Sequence, residues 1–109
     1  METLAPPKEK TKTREENVTL LTPQYHVVLL DDDFHTYAYV IEMLVSLFGH
    51  SEGKAFLMAQ EVDRSGRVIV DTTHKKRAIQ KRDQIHAYGP DPFIPYCQGS
   101  MSAMIEPAE

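Results

Sequence analysis

Three consecutive aspartates, Asp31, Asp32 and Asp33, stand where the β-prone run YHVVLL gives way to a long amphipathic stretch, and Asp63 ends a later one. Carboxylates at such points can cap a helix or hold a cation. Asp33 or Thr36 can satisfy the orphan N–H groups of the following helix, where the dipole favours negative charge by about 0.3–1 kcal/mol. Capping accounts for one or two of the three acids, since a third adjacent carboxylate repels the others. Asp63 lies at the opposite end of its own helix, on the unfavourable side of the dipole, and requires a compensating partner. If the two helices return antiparallel, Asp63 comes back beside the aspartate turn with apolar side chains between. A hard divalent ion there needs six or more oxygens, and the glycine-punctuated loop of a calcium hand is absent. An ammonium group needs only two or three acceptors. The residues alone leave both cations open, beside a plain solvated acidic turn.

The elements that must position these acids follow from periodicity. Residues 25–30 are a short strand by β-branched enrichment. Tyr37, Val40, Ile41, Leu44, Val45 and Phe48 recur at the spacing of one helical face, and Gly49 stands where a left-handed cap belongs. Ser51 caps a second helix with Ala55, Met58, Ala59 and Val62 on one stripe, ended by Ser65 and Gly66. RVIVDTT (67–73) is a second strand. Thr73 is placed to cap a third helix that buries Ala78, Ile79, Ile85 and Tyr88 and ends at Gly89, with Lys75, Lys76, Arg77, Lys81 and Arg82 as a basic face. Three prolines make PDPFIPYCQGS an irregular crossing loop, and residues 101–105 form a weak edge strand. The order β-α-α-β-α-β predicts an α+β domain, with three helices packed on one face of a small three-stranded antiparallel sheet.

Residues 1–24 hold four basic and four acidic residues, three prolines and few large apolar groups, which predicts a flexible tail before a single domain over 25–109. The 109-residue chain has 41% hydrophobic residues and a formal charge of −4, which argues against bulk affinity for nucleic acid or anionic membrane. No apolar run approaches a membrane span, and no secretory pattern opens the chain, so a cytoplasmic location is expected. Cys97 is the sole cysteine, so an internal disulfide and a cysteine-based zinc site are both excluded. No catalytic set, phosphate-binding loop or diagnostic metal motif is present, so neither enzymatic activity nor a cofactor is expected.

The pattern Tyr-x-Val-x-Leu-Leu-Asp-Asp-Asp-Phe from Tyr25, then Thr36 and the Tyr-x-x-Val-Ile-x-x-Leu helix from Tyr37, resembles the ClpS family, adaptors that deliver N-degron substrates to a Clp AAA+ unfoldase. The likeness runs in order from Tyr25 to Tyr88 and more loosely to Ile105. It implies binding of a free protein N-terminus with a large apolar first residue. By position, the α-amine contacts fall on Asp31, Asp33 and Asp63, and the hydrophobic pocket on Leu30, His35, Tyr37, Val40, Ala59, Val62 and Met101. The unfoldase contact falls on Lys81 and Lys76. Asp31 stands where the family usually has Asn, Asp63 where it has His, Tyr37 and Ala59 where it has Met, and His35 where it has Thr. Carboxylates in place of an amide and an imidazole keep the acceptors and add charge, which suits an ammonium through charge-assisted bonds. Two other readings stand beside this one: a divalent-metal domain using Asp31, Asp33 and Asp63, and an interaction module that has lost amine recognition.

Overall fold

The computed structural model describes residues 22–32 and 34–108. Its elements are β1 (Gln24–Leu30), α1 (Tyr37–Phe48), α2 (Glu52–Ser65), β2 (Arg67–His74), α3 (Lys75–His86) and β3 (Ser102–Pro107). The sheet has the order β2-β1-β3, with β1 antiparallel to both neighbours. This is the α+β arrangement that the sequence pattern predicts. Residues 1–21, including most of the anticipated tail, lie outside the described residues, and Gln24 belongs to β1.

Because β1 is central, Val27, Val28 and Leu29 are all fully buried. Val27 and Leu29 join Tyr39, Val40, Met43 and Leu44 of α1, Ala55, Ala59 and Val62 of α2, and Ala78 and Ile85 of α3 in one core. A bulge opposite Val27 and Val28 leaves Val70 unpaired on β2 and turns it into that core, where its carbonyl accepts a 2.7 Å hydrogen bond from His50 Nε2. Among the described residues, no helix is long and apolar enough to cross a membrane.

Local chemistry sets most element ends as anticipated. Thr36 and Ser51 accept from the Tyr39 and Lys54 N–H groups, and Gly49 and Gly66 close α1 and α2 at φ +73° and +86°. Three details differ from the sequence expectation. Thr73 stays in β2, paired with Tyr25, and the cap of α3 is the next residue, His74, whose ring accepts from the Arg77 N–H. Helix α3 ends at Ala87 and not at Gly89, whose N–H instead binds Ser100 Oγ at 2.6 Å. The buried stripe of α1 is centred on Tyr39, Val40, Met43 and Leu44, leaving Tyr37 exposed. Tyr39 can turn inward because its hydroxyl donates to the Gly89 carbonyl at 2.5 Å and its ring meets Tyr88 edge-on.

The crossing loop is fastened by Asp91, which is 2% exposed. Its carboxylate accepts from the Thr36 N–H (2.6 Å), the Thr36 hydroxyl (2.9 Å) and the Phe93 N–H (2.8 Å), so the loop completes the cap of α1. Burial pushes the Asp91 carboxyl up, but the hydrogen bonds from Thr36 and Phe93, with the neighbouring His35, outweigh it and hold it below the usual carboxylate range. Asp91→Ala removes a buried acceptor of three hydrogen bonds and is expected to destabilise the domain by about 1–3 kcal/mol, read as a fall in melting temperature. A depressed folded pKa stabilises above the unfolded value of about 3.9 and loses that contribution as pH falls through the folded value. The melting temperature of the variant should therefore approach that of the wild type as the pH drops below about 4; a gap that stays constant would contradict this role.

Candidate functional site

Helices α1 and α2 run back along each other, so the last turn of α2 returns to the start of α1. Two hydrogen bonds fix this junction. The Asp31 N–H donates to the carbonyl of Gly66, the left-handed cap of α2, at 3.0 Å, and the Tyr37 hydroxyl donates to Asp63 Oδ2 at 2.9 Å. Asp63 thereby gains the partner that its place at a helix C-terminus calls for. The phenol of Tyr37 is raised above its ordinary value of 10.0, first by that hydrogen bond, then by burial and the charge of Asp63; Arg64 opposes and Asp31 adds to the shift. Asp31, Tyr37 and Asp63 therefore share one electrostatic neighbourhood.

Beneath this junction the side chains are apolar. Val40, Ala59 and Val62 are 4%, 1% and 2% exposed, and Leu30 is half-buried where β1 ends. Met101 is buried in the same core. Phe56, 43% exposed, lies with its ring centroid 5.9 Å from that of Tyr37 and extends the apolar surface outward. Phe56 precedes Asp63 by seven residues, two turns of one helix face, and that spacing was the available sequence signal for it.

His35 takes another direction. Its side chain is 3% exposed, with Nδ1 2.8 Å from Asp32 Oδ1 and Nε2 2.8 Å from the Gly99 carbonyl, and its ring packs 4.6 Å from Tyr39. It pins the aspartate turn to the crossing loop. Asp32 is correspondingly occupied, accepting also from the Phe34 N–H at 2.9 Å. Asp33 lies outside the described residues. No group of three or more His, Cys, Asp or Glu side chains among the described residues could hold a metal ion. Asp63, Asp32 and Asp91 are instead each engaged by separate protein donors.

On the far side of α1, Lys81 reaches from α3 to donate to the Leu47 carbonyl near the C-terminus of α1 and sits 5.4 Å from the centre of the Phe48 ring. Burial lowers its pKa, with Arg77 adding to the fall and Asp71 opposing it. Lys76 is exposed on the same helix.

Residues 21–91 match the family profile described as "ATP-dependent Clp protease adaptor protein ClpS". The chain belongs to the ClpS family. It is 37% identical over 78 residues to the ClpS of Nautilia profundicola, covering 70% of this chain and 80% of that one. With the ClpS of Desulforapulum autotrophicum it shares 29% identity over 79 residues, 72% of this chain and 76% of the relative. The structure of Agrobacterium tumefaciens ClpS2 bound to L-phenylalaninamide superposes with a TM-score of 0.67 at 24% identity, covering 78% of this chain and 96% of that one. That superposition establishes the ClpS fold, while the family match ends at residue 91, before most of the crossing loop.

The Tyr37–Asp63 contact can be read directly by titration. NMR of the tyrosine ring carbons is expected to show Tyr37 ionising above the ordinary value of about 10, and Asp63→Asn should return it towards that value. An unchanged Tyr37 titration in Asp63→Asn would show that the contact is not formed in solution.

Proposed function

We propose that this chain is a ClpS-type adaptor that binds the free α-amino group and apolar first side chain of N-degron proteins and delivers them to a Clp AAA+ unfoldase. The observation that carries the reading is the junction of Asp31, Tyr37 and Asp63 beside the buried Val40, Ala59 and Val62 and the half-buried Leu30, in a chain of the ClpS family. Asp31, Asp33 and Asp63 are assigned to the amine, and Leu30, Tyr37, Val40, Ala59, Val62 and Met101 to the first side chain. His35 serves this pocket by fixing the aspartate turn. An α-ammonium has a pKa near 7.7–8.0 and is mostly protonated at pH 7, so carboxylates on two sides suit it through charge-assisted bonds. Burial of a Leu or Phe side chain contributes about 1.5–3 kcal/mol more. The ligand of the A. tumefaciens ClpS2 structure, L-phenylalaninamide, has this chemistry, a free amine beside an aromatic side chain.

The activity is one of binding and hand-over, without catalysis or cofactor, by a domain that begins with β1 at Gln24, in the cytoplasm. Lys76 and Lys81 are assigned to the unfoldase; because Lys81 also donates to the Leu47 carbonyl of α1, Lys76 is the freer contact.

Calorimetry with paired peptides tests the reading. A Phe- or Leu-initiated peptide should bind while its N-acetylated twin does not, and Asp63→Ala should weaken binding by more than about tenfold, the loss of one charge-assisted bond, with the melting temperature little changed. Equal binding of the free and acetylated peptides would rule out amine capture.

A further inference from the structure

A hollow of about 600 Å³ lies between the aspartate turn and the crossing loop. Asp32, Phe34 and His35 line one wall, and Ile94, Tyr96 and Gly99 contribute to the other. The loop wall lies beyond residues 21–91, the stretch that matches the family profile. Both walls are fastened. The Gly99 carbonyl sits 2.8 Å from His35 Nε2, the Asp91 N–H donates to Cys97 Sγ at 3.3 Å, and Asp91 caps α1. The rim is aromatic and unpacked, with Phe34 65% and Tyr96 96% exposed. Tyr96 has φ +68°, the only positive value at a non-glycine among the described residues. Backbone strain held in place by a fastened loop is the kind of feature found at ligand clamps.

We infer that this hollow is a subsite for the second residue of the cargo, and that it takes an apolar or aromatic side chain. The inference rests on the amine-capture reading above. Asp32 follows Asp31 directly, so the same turn faces the α1–α2 junction through Asp31 and the hollow through Asp32 and His35. In an extended peptide, successive side chains point to opposite sides and their Cα atoms are about 3.8 Å apart. With the amine at Asp31 and the first side chain between α1 and α2, the second side chain is carried across the turn to the loop side. There it meets the Phe34 and Tyr96 rings and the apolar Ile94 and Pro95. The second residue thus becomes part of what the adaptor selects, through the crossing loop.

Three ligands on the full chain separate this subsite from the reading beneath it: phenylalaninamide, which has no second residue, Phe-Gly-amide and Phe-Leu-amide. Phe-Leu-amide is expected to bind about tenfold more tightly than Phe-Gly-amide, the gain from partial burial of one apolar side chain. Tyr96→Asn tolerates the positive φ and removes the ring, and should largely abolish that difference while leaving phenylalaninamide binding unchanged. Tyr96→Phe should preserve the difference. If phenylalaninamide binds but the Leu peptide shows no gain, or the gain survives Tyr96→Asn, the subsite is overturned and amine capture stands. If phenylalaninamide does not bind, amine capture fails and the subsite falls with it.

Discussion

The return of α2 onto the start of α1 is the constraint on which the rest depends: the buried packing of Val40, Met43 and Leu44 with Ala55, Ala59 and Val62 holds it, and the Asp31–Gly66 and Tyr37–Asp63 hydrogen bonds align its end. Gly66 makes the first possible. Its φ of +86° is reached at little cost only without a Cβ, although open space surrounds the position. The left-handed step ends α2 and turns its carbonyl to the Asp31 amide just as β1 ends. Without that step, β1 and α2 would have no shared edge at which their acids could meet.

The acids around α1 divide into two groups by partner. Asp91 and Asp32 are absorbed into the scaffold, one capping the helix and the other holding His35 against the crossing loop. Asp63 is exposed, and only one of its oxygens is engaged by the Tyr37 hydroxyl. A neutral donor orients a carboxylate without cancelling its charge, which leaves that charge for an incoming cation. The scaffold roles and the proposed amine-binding role thus fall on different aspartates, although three of them are consecutive in the chain.

What the sequence disclosed was whatever local chemistry determines. The caps at Thr36, Ser51, Gly49 and Gly66, the stripe of α2 and the order of all six elements were legible because each depends on residues within a turn or two. The inward turn of Tyr39 was not, since its hydroxyl partner is the Gly89 carbonyl fifty residues away. Asp91 gave no signal for the same reason: between two prolines it reads as loop, and its worth as a cap appears only when the loop crosses back to Thr36. His35 was assigned to the pocket by position in the family pattern, and its bond to Gly99 shows the competing demand of the loop. The approach of Asp63 to the aspartate turn followed from antiparallel helices alone. The phenol that bridges the gap, and Phe56 beside it, needed the packed structure.

The proposed amine capture rests on charge, an ammonium held by carboxylates from the aspartate turn and from the end of α2. The affinity of a Phe-initiated peptide measured across pH tests this most directly. It should stay level up to about pH 7 and then fall roughly tenfold per unit once the α-amine, with a pKa near 7.7–8.0, loses its proton. An affinity that stays flat from about pH 7 to 9.5 would mean that the apolar pocket alone binds and that the carboxylates hold no charge of the ligand.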